Sequence, residues 1–117
     1  MSFVSELEPK SVWRHFDEIL KIPRGSKNEQ AMREYVIALA QKNGLPHKTD
    51  KGRNVVVQVP ASPGRERAPI TILQSHLDMV NDKNSEVKHD FDKDPIQPRR
   101  DGEYLKASGT TLGSDNG

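Results

Sequence analysis

The sequence contains no cysteine. Disulfides, thiolate metal sites and cysteine nucleophiles are thereby excluded, and the absence fits a reducing compartment. No apolar run approaches the roughly 20 residues of a membrane span. The first ten residues have no apolar core and carry Glu6 and Glu8, unlike a secretory signal. A cytoplasmic location and no membrane partner are expected. Neither sign of charge dominates: 18 Lys and Arg stand against 17 Asp and Glu, a formal net charge of +1. Beyond the pair Arg99-Arg100 there is no basic stripe, so no nucleic-acid partner is expected. A Gly-x-x-x-x-Gly-Lys-Ser/Thr phosphate loop and a Gly-x-Gly-x-x-Gly fingerprint are absent, which leaves nucleotide binding unsupported. So is a Gly-x-Ser-x-Gly elbow, the usual seat of an acyl-enzyme serine. Metal-assisted hydrolysis is the chemistry that remains.

Apolar residues are also few. The 117 residues suffice for one small domain with one core. Only 32% are hydrophobic and the mean hydropathy is −0.81, whereas an ordinary domain has about 45–50% apolar residues, Gly included. Either long loops dilute the core, or chain outside this sequence carries the rest of it.

What is present is well punctuated. Val12, Trp13, Phe16, Ile19 and Leu20 recur at helical spacing and predict a helix from Pro9 to Lys21, stopped by Pro23. Ser26-Lys27-Asn28-Glu29 has the capping-box pattern and predicts a second helix with Ser26 as its cap. Ala31, Met32, Tyr35, Val36, Leu39 and Ala40 form its apolar stripe. Asn43-Gly44 should end it, with Gly44 left-handed and Leu45 packing back. The period then switches. Leu45 to Asp50 and Asn54 to Val59 predict a hairpin, and consecutive Val55, Val56 and Val57 suggest a strand covered on both faces. Ile70 to Gln74 predicts a further apolar strand after a polar loop. Asp101-Gly102, flanked by Ile96 to Pro98 and Glu103 to Ala107, predicts a second hairpin. Two helices followed by strands suggest an α/β fold, a mixed sheet with flanking helices, whose sites gather at the C-terminal ends of strands.

Ser75-His76-Leu77-Asp78 stands at such an end. Residues two apart on a strand face the same way. A neutral imidazole is a good metal ligand, and metal-bound histidines commonly pass their other N–H to a carboxylate. A lone His-x-Asp is nevertheless more often an ordinary polar strand end. Asp115 lies between Gly113 and Gly117, where a backbone can pass close to a metal. An Asx turn explains most such triplets equally well. His89-Asp90 sits in a charged loop and reads as structural or solvated. His15 and His47 read as surface residues.

Taken together, the segments resemble a known family. Leu73-Gln74-Ser75-His76-Leu77-Asp78-Met79-Val80 is similar to the first metal motif of the aminoacyl-histidine dipeptidases (peptidase D). His89 to Ile96 and Gly109 to Gly117 follow in order, and Leu7-Glu8-Pro9, Val12-Trp13 and Ile22-Pro23-Arg24 also fit. Ser75 and Ser114 depart from the Gly or Ala expected, without removing a ligand. The resemblance implies that residues 1–117 are the N-terminal part of a metallopeptidase catalytic domain. It implies two zinc ions per complete site, with cobalt or manganese as substitutes. His76 would be a metal ligand, Asp115 the carboxylate bridging both metals, and Asp78 the acid of the catalytic site that orients His76. The substrates would be dipeptides, Xaa-His among them. A downstream Glu-Glu pair, further ligands and a lid domain that mediates homodimer formation lie beyond residue 117, so the isolated chain is expected to be inactive. A truncated fragment without catalysis, or a sibling aminoacylase or deacetylase, are the alternatives; the Gly109-Thr110-Thr111-Leu112-Gly113 stretch argues against the sibling.

Overall fold

The computed structural model describes residues 2–113. A 3₁₀ turn (Phe3–Glu6) leads into α1 (Lys10–Leu20), α2 (Gln30–Lys42), β1 (His47–Thr49), β2 (Val55–Val57), β3 (Pro98–Asp101) and β4 (Tyr104–Ala107). Among the described residues the strands form two antiparallel pairs, β1 with β2 and β3 with β4. No described helix is long and apolar enough to cross a membrane.

Both helices form where the apolar spacing places them. Along α1, Trp13, Phe16 and Leu20 turn inward, with Trp13 edge-on to Phe16 at 5.4 Å between ring centroids. Val12 does not share that face: it is 58% exposed. Asp17 is buried instead, accepting from the Ser2 hydroxyl and pairing with Lys21 at 3.3 Å. Burial opposes its charge, but the Ser2 hydrogen bond and the Lys21 cation outweigh it, and the carboxyl sits below its ordinary range. This contact ties the 3₁₀ turn to α1 and seals Val4 completely from solvent.

The end of α2 follows the expectation closely. Gly44 takes φ +64, Leu45 N donates to Ala40 O at 2.9 Å, and Gly44 N donates to Gln41 O at 3.0 Å. These are the two bonds of a Schellman motif. The start of α2 does not follow. The helix begins at Gln30 with Glu29 at the cap position and no side-chain cap. Ser26 lies outside it, in a turn closed by Asn28 N on Gly25 O at 2.8 Å.

The first hairpin pairs His47 with Val57 and Thr49 with Val55. Its turn is held by Asp50, which accepts from Asn54 N at 2.9 Å and Asn54 Nδ2 at 2.8 Å. Only one face packs, against α2, so Val56 is 65% exposed rather than covered on both sides. In the second hairpin the closing pair is Asp101 with Tyr104. The two-residue loop is therefore Gly102-Glu103, one position later than the Asp101-Gly102 signal implied. Gly102 alone takes positive φ there, at +61, as a type II′ turn requires.

The expected strand at Ile70 to Gln74 has no ladder partner among the described residues and forms no regular structure. Ile70, Ile72 and Leu73 are 92%, 83% and 93% exposed. A strand exists only through its neighbours, and without one the apolar run stays bare. The core is accordingly small. Val4, Leu20, Met79 and Ile96 are buried together, with Phe91, Leu105 and Leu112 against them. The Cα radius of gyration is 16.3 Å, larger than the roughly 13 Å of a compact domain of this length.

Candidate metal centre

Three irregular segments are laid against one another around His76 and Asp78. The first is Arg24-Gly25-Ser26, just past the proline that stops α1. It runs parallel to Leu77-Asp78-Met79, with Met79 N donating to Arg24 O at 2.9 Å and a bridge between Gly25 and Met79. Arg24 is buried, and its Nη1 donates to Leu77 O at 3.3 Å. Gly25 allows this close approach: a Cβ there would stand 2.2 Å from Asn81 Nδ2.

The third segment is the arm from Gly109 to Gly113, which returns antiparallel along residues 80–84. Asn84 N donates to Gly109 O at 2.8 Å, Lys83 bridges Thr110, and Thr111 N donates to Asp82 O at 2.9 Å. The Thr111 hydroxyl donates to Val80 O at 2.6 Å. Gly113, at φ +76, closes the arm onto Met79 so tightly that a Cβ would lie 2.8 Å from the Met79 Cβ.

Within this frame His76 and Asp78 meet, as the two-residue spacing predicted, although no strand carries them. The ring Nδ1 and Asp78 Oδ1 are 2.8 Å apart. An ionised carboxylate only accepts, so Nδ1 carries the proton and the lone pair of the neutral ring is on Nε2. The other carboxylate oxygen, Oδ2, accepts from the Ser26 hydroxyl at 2.5 Å. The hydrogen bonds from Ser26 and then His76 hold the Asp78 carboxyl below its ordinary range, so it is a carboxylate at neutral pH. The His76 side chain is 53% exposed and the Asp78 side chain 31%. A half-exposed imidazole with Nδ1 committed to a carboxylate fits one position of a metal site. Among the described residues no three histidine, aspartate or glutamate side chains cluster as a ligand set. Asp115, the expected bridging carboxylate, lies outside the described residues.

Of the other histidines, expected to be structural or solvated at His89 and surface residues at His15 and His47, His15 is exposed and His47 is half-buried. His89 packs edge-on to Phe91 at 4.6 Å. His15 Nδ1 meets the Tyr35 hydroxyl at 3.3 Å, and His47 Nδ1 meets Leu45 O at 3.2 Å. Sequence reasoning missed Ser26, which it assigned to a helix cap. A glycine between two polar residues after a helix stop is the one local signal that Arg24-Gly25-Ser26 approaches other backbone instead.

No family model matches the chain. It is 45% identical over all 117 residues to the cytosol non-specific dipeptidase of Escherichia coli (strain K12), covering 24% of that protein. It also superposes on the crystal structure of the aminoacylhistidine dipeptidase from Vibrio alginolyticus. There the TM-score is 0.93 and the identity 45%, over 97% of this chain and 23% of that one. The chain is homologous to these dipeptidases. It spans about a quarter of the length of the relatives it matches. The helices, the small antiparallel sheets and the loops around His76 are thus the fold of part of a dipeptidase.

Proposed function

We propose that this chain is the first part of the catalytic domain of a metal-dependent dipeptidase, and that it supplies the His76–Asp78 half of the metal centre. The observation that carries the reading is the 2.8 Å contact between His76 Nδ1 and Asp78 Oδ1, in a chain homologous throughout to dipeptidases. Asp78 holds the proton on Nδ1 and fixes the ring plane, which directs Nε2 at a metal. Asp115 would be the carboxylate that helps hold two metals. Zinc, with cobalt or manganese as substitutes, would supply Lewis acidity and an activated water when bound.

The remaining ligands, a glutamate base and a lid domain that pairs two copies belong to the longer polypeptide. Its substrates are dipeptides, including Xaa-His, as the name of the Vibrio relative suggests. Its location is the cytoplasm, as the name of the Escherichia coli relative suggests. The bare Ile70–Leu73 run is the surface onto which that longer chain packs.

The test is a chimera in which this chain replaces the matching segment of the Escherichia coli dipeptidase. It should hydrolyse an Xaa-His dipeptide and retain zinc, and His76→Ala and Asp115→Ala should each lose both. The isolated chain with added zinc should be inactive. A general base alone is worth about 10²–10⁴ in rate, and catalytic zinc sites usually have three protein ligands. A folded chimera whose zinc content and turnover are indifferent to His76→Ala would overturn the assignment.

A further inference from the structure

We propose that Ser26 is a positioning residue of this centre, holding Asp78 in the one orientation that presents Oδ1 to His76. The inference rests on the reading of His76 as a metal ligand and adds a residue to it. The geometry is a relay in which each atom has one task. The Ser26 hydroxyl donates to Asp78 Oδ2 at 2.5 Å, and Asp78 Oδ1 accepts from His76 Nδ1 at 2.8 Å. A carboxylate held by one oxygen still turns about its terminal torsion, which is broad for aspartate. Held by both, it cannot turn without breaking a charge-assisted bond.

Two further observations show that the backbone is built to bring Ser26 there. The segment is clamped on both sides of Gly25, by Met79 N on Arg24 O and by the Gly25–Met79 bridge. The following residue, Lys27, takes φ +71. That is a left-handed conformation costing a side-chain-bearing residue about 1–2 kcal/mol, at the turn position where glycine or asparagine is usual. Such strain gathers where the surrounding structure fixes a functional side chain. Here the turn diverts Ser26 away from the start of α2, which is left without a side-chain cap. The polypeptide thus forgoes a local capping bond and bears a strained residue, and Ser26 faces Asp78.

Ser26 is exposed, so its substitution leaves the small core untouched. The decisive pair is Ser26→Thr, which keeps the hydroxyl, and Ser26→Val, which has the same shape without it. The readout is the His76 tautomer, from the ring ¹⁵N shifts of the 117-residue chain labelled at histidine and without metal. Wild type and Ser26→Thr should show the Nδ1–H form. Ser26→Val should show a mixture with the Nε2–H form, while the His15, His47 and His89 signals stay in place. Zinc alone is then titrated into the metal-free dipeptidase chimera carrying each variant, where the remaining ligands are present. Its affinity at His76 should fall by about tenfold in Ser26→Val, the lower end of the 10–100-fold range for loss of a partner behind a ligand, and recover in Ser26→Thr. An unchanged His76 tautomer in Ser26→Val would overturn the Ser26 assignment. A changed tautomer, with zinc binding by the chimera the same in His76→Ala as in wild type, would leave Ser26 standing and overturn the metal reading instead.

Discussion

Replacing Gly113 with alanine should be among the most damaging single-methyl additions available in this chain. Two costs add. At φ +76 a Cβ is disfavoured by about 1–2 kcal/mol whatever surrounds it. The added carbon would also lie 2.7 Å from Met79 Sδ, 2.8 Å from its Cβ and 3.0 Å from its Cε. The Met79 Cβ is fixed to the backbone and cannot swing away, and Met79 is only 3% exposed, packed with Val4, Leu20 and Ile96. Overpacking of this kind costs about 1–3 kcal/mol, which brings the total to about 2–5 kcal/mol. Gly44→Ala is the matched control, because Gly44 has φ +64 and nothing within 4 Å of the added carbon. It should lose only the backbone contribution, about 1–2 kcal/mol. Gly25→Ala meets chiefly the end of the Asn81 side chain, which can rotate away, and should fall below Gly113→Ala. The assay is urea denaturation followed by circular dichroism, compared at a common m-value. Equal losses in Gly113→Ala and Gly44→Ala would show that the arm from Gly109 does not rest on Met79.

The remaining predictions concern the two ends of the core. Asp17→Ala removes the acceptor for Ser2 and the partner of Lys21, and at neutral pH should cost about 1–3 kcal/mol. Because the folded pKa of Asp17 is depressed, its contribution is complete above the unfolded value of about 3.9. It is lost as pH falls through the lower folded value. Wild type and variant should therefore converge in acid-unfolding curves below that point; a gap that persists there would exclude the carboxylate as its source. Ile72→Lys with Leu73→Lys should raise the solubility of the isolated chain while changing its stability by no more than about 0.5 kcal/mol, since both side chains meet only solvent. The same pair should destabilise the dipeptidase chimera, and unfolding of the isolated chain by these lysines would show that the run is packed after all.

What could be read from the sequence was local. The apolar spacing of both helices, the Asn43-Gly44 stop and the two hairpins depend on residues a few positions apart, and all form. His76 and Asp78 meet because two residues suffice to set their contact. The misreadings share a cause, which is competition from partners far along the chain or absent from it. Asp17, of which the local pattern says nothing, is buried because Ser2 folds back onto it from fifteen positions away. Ile70–Leu73 has every local mark of a strand, but pairing is supplied from outside the segment.

Ser26 is the most instructive case, because both of its options are hydrogen bonds. As a helix cap it would accept from a backbone amide, a bond between neutral groups with a net worth of about 1 kcal/mol. Facing Asp78 it donates to a carboxylate, worth about 1.5–3 kcal/mol. The partner lies 52 positions on, where no pattern in the capping box points. The stronger bond wins once Met79 and Arg24 have brought the two segments side by side. The margin between the two bonds is of the same order as the strain at Lys27. Shortening Ser26 to alanine should therefore free the turn as well as Asp78, while the start of α2, which takes no side-chain cap, stays as it is.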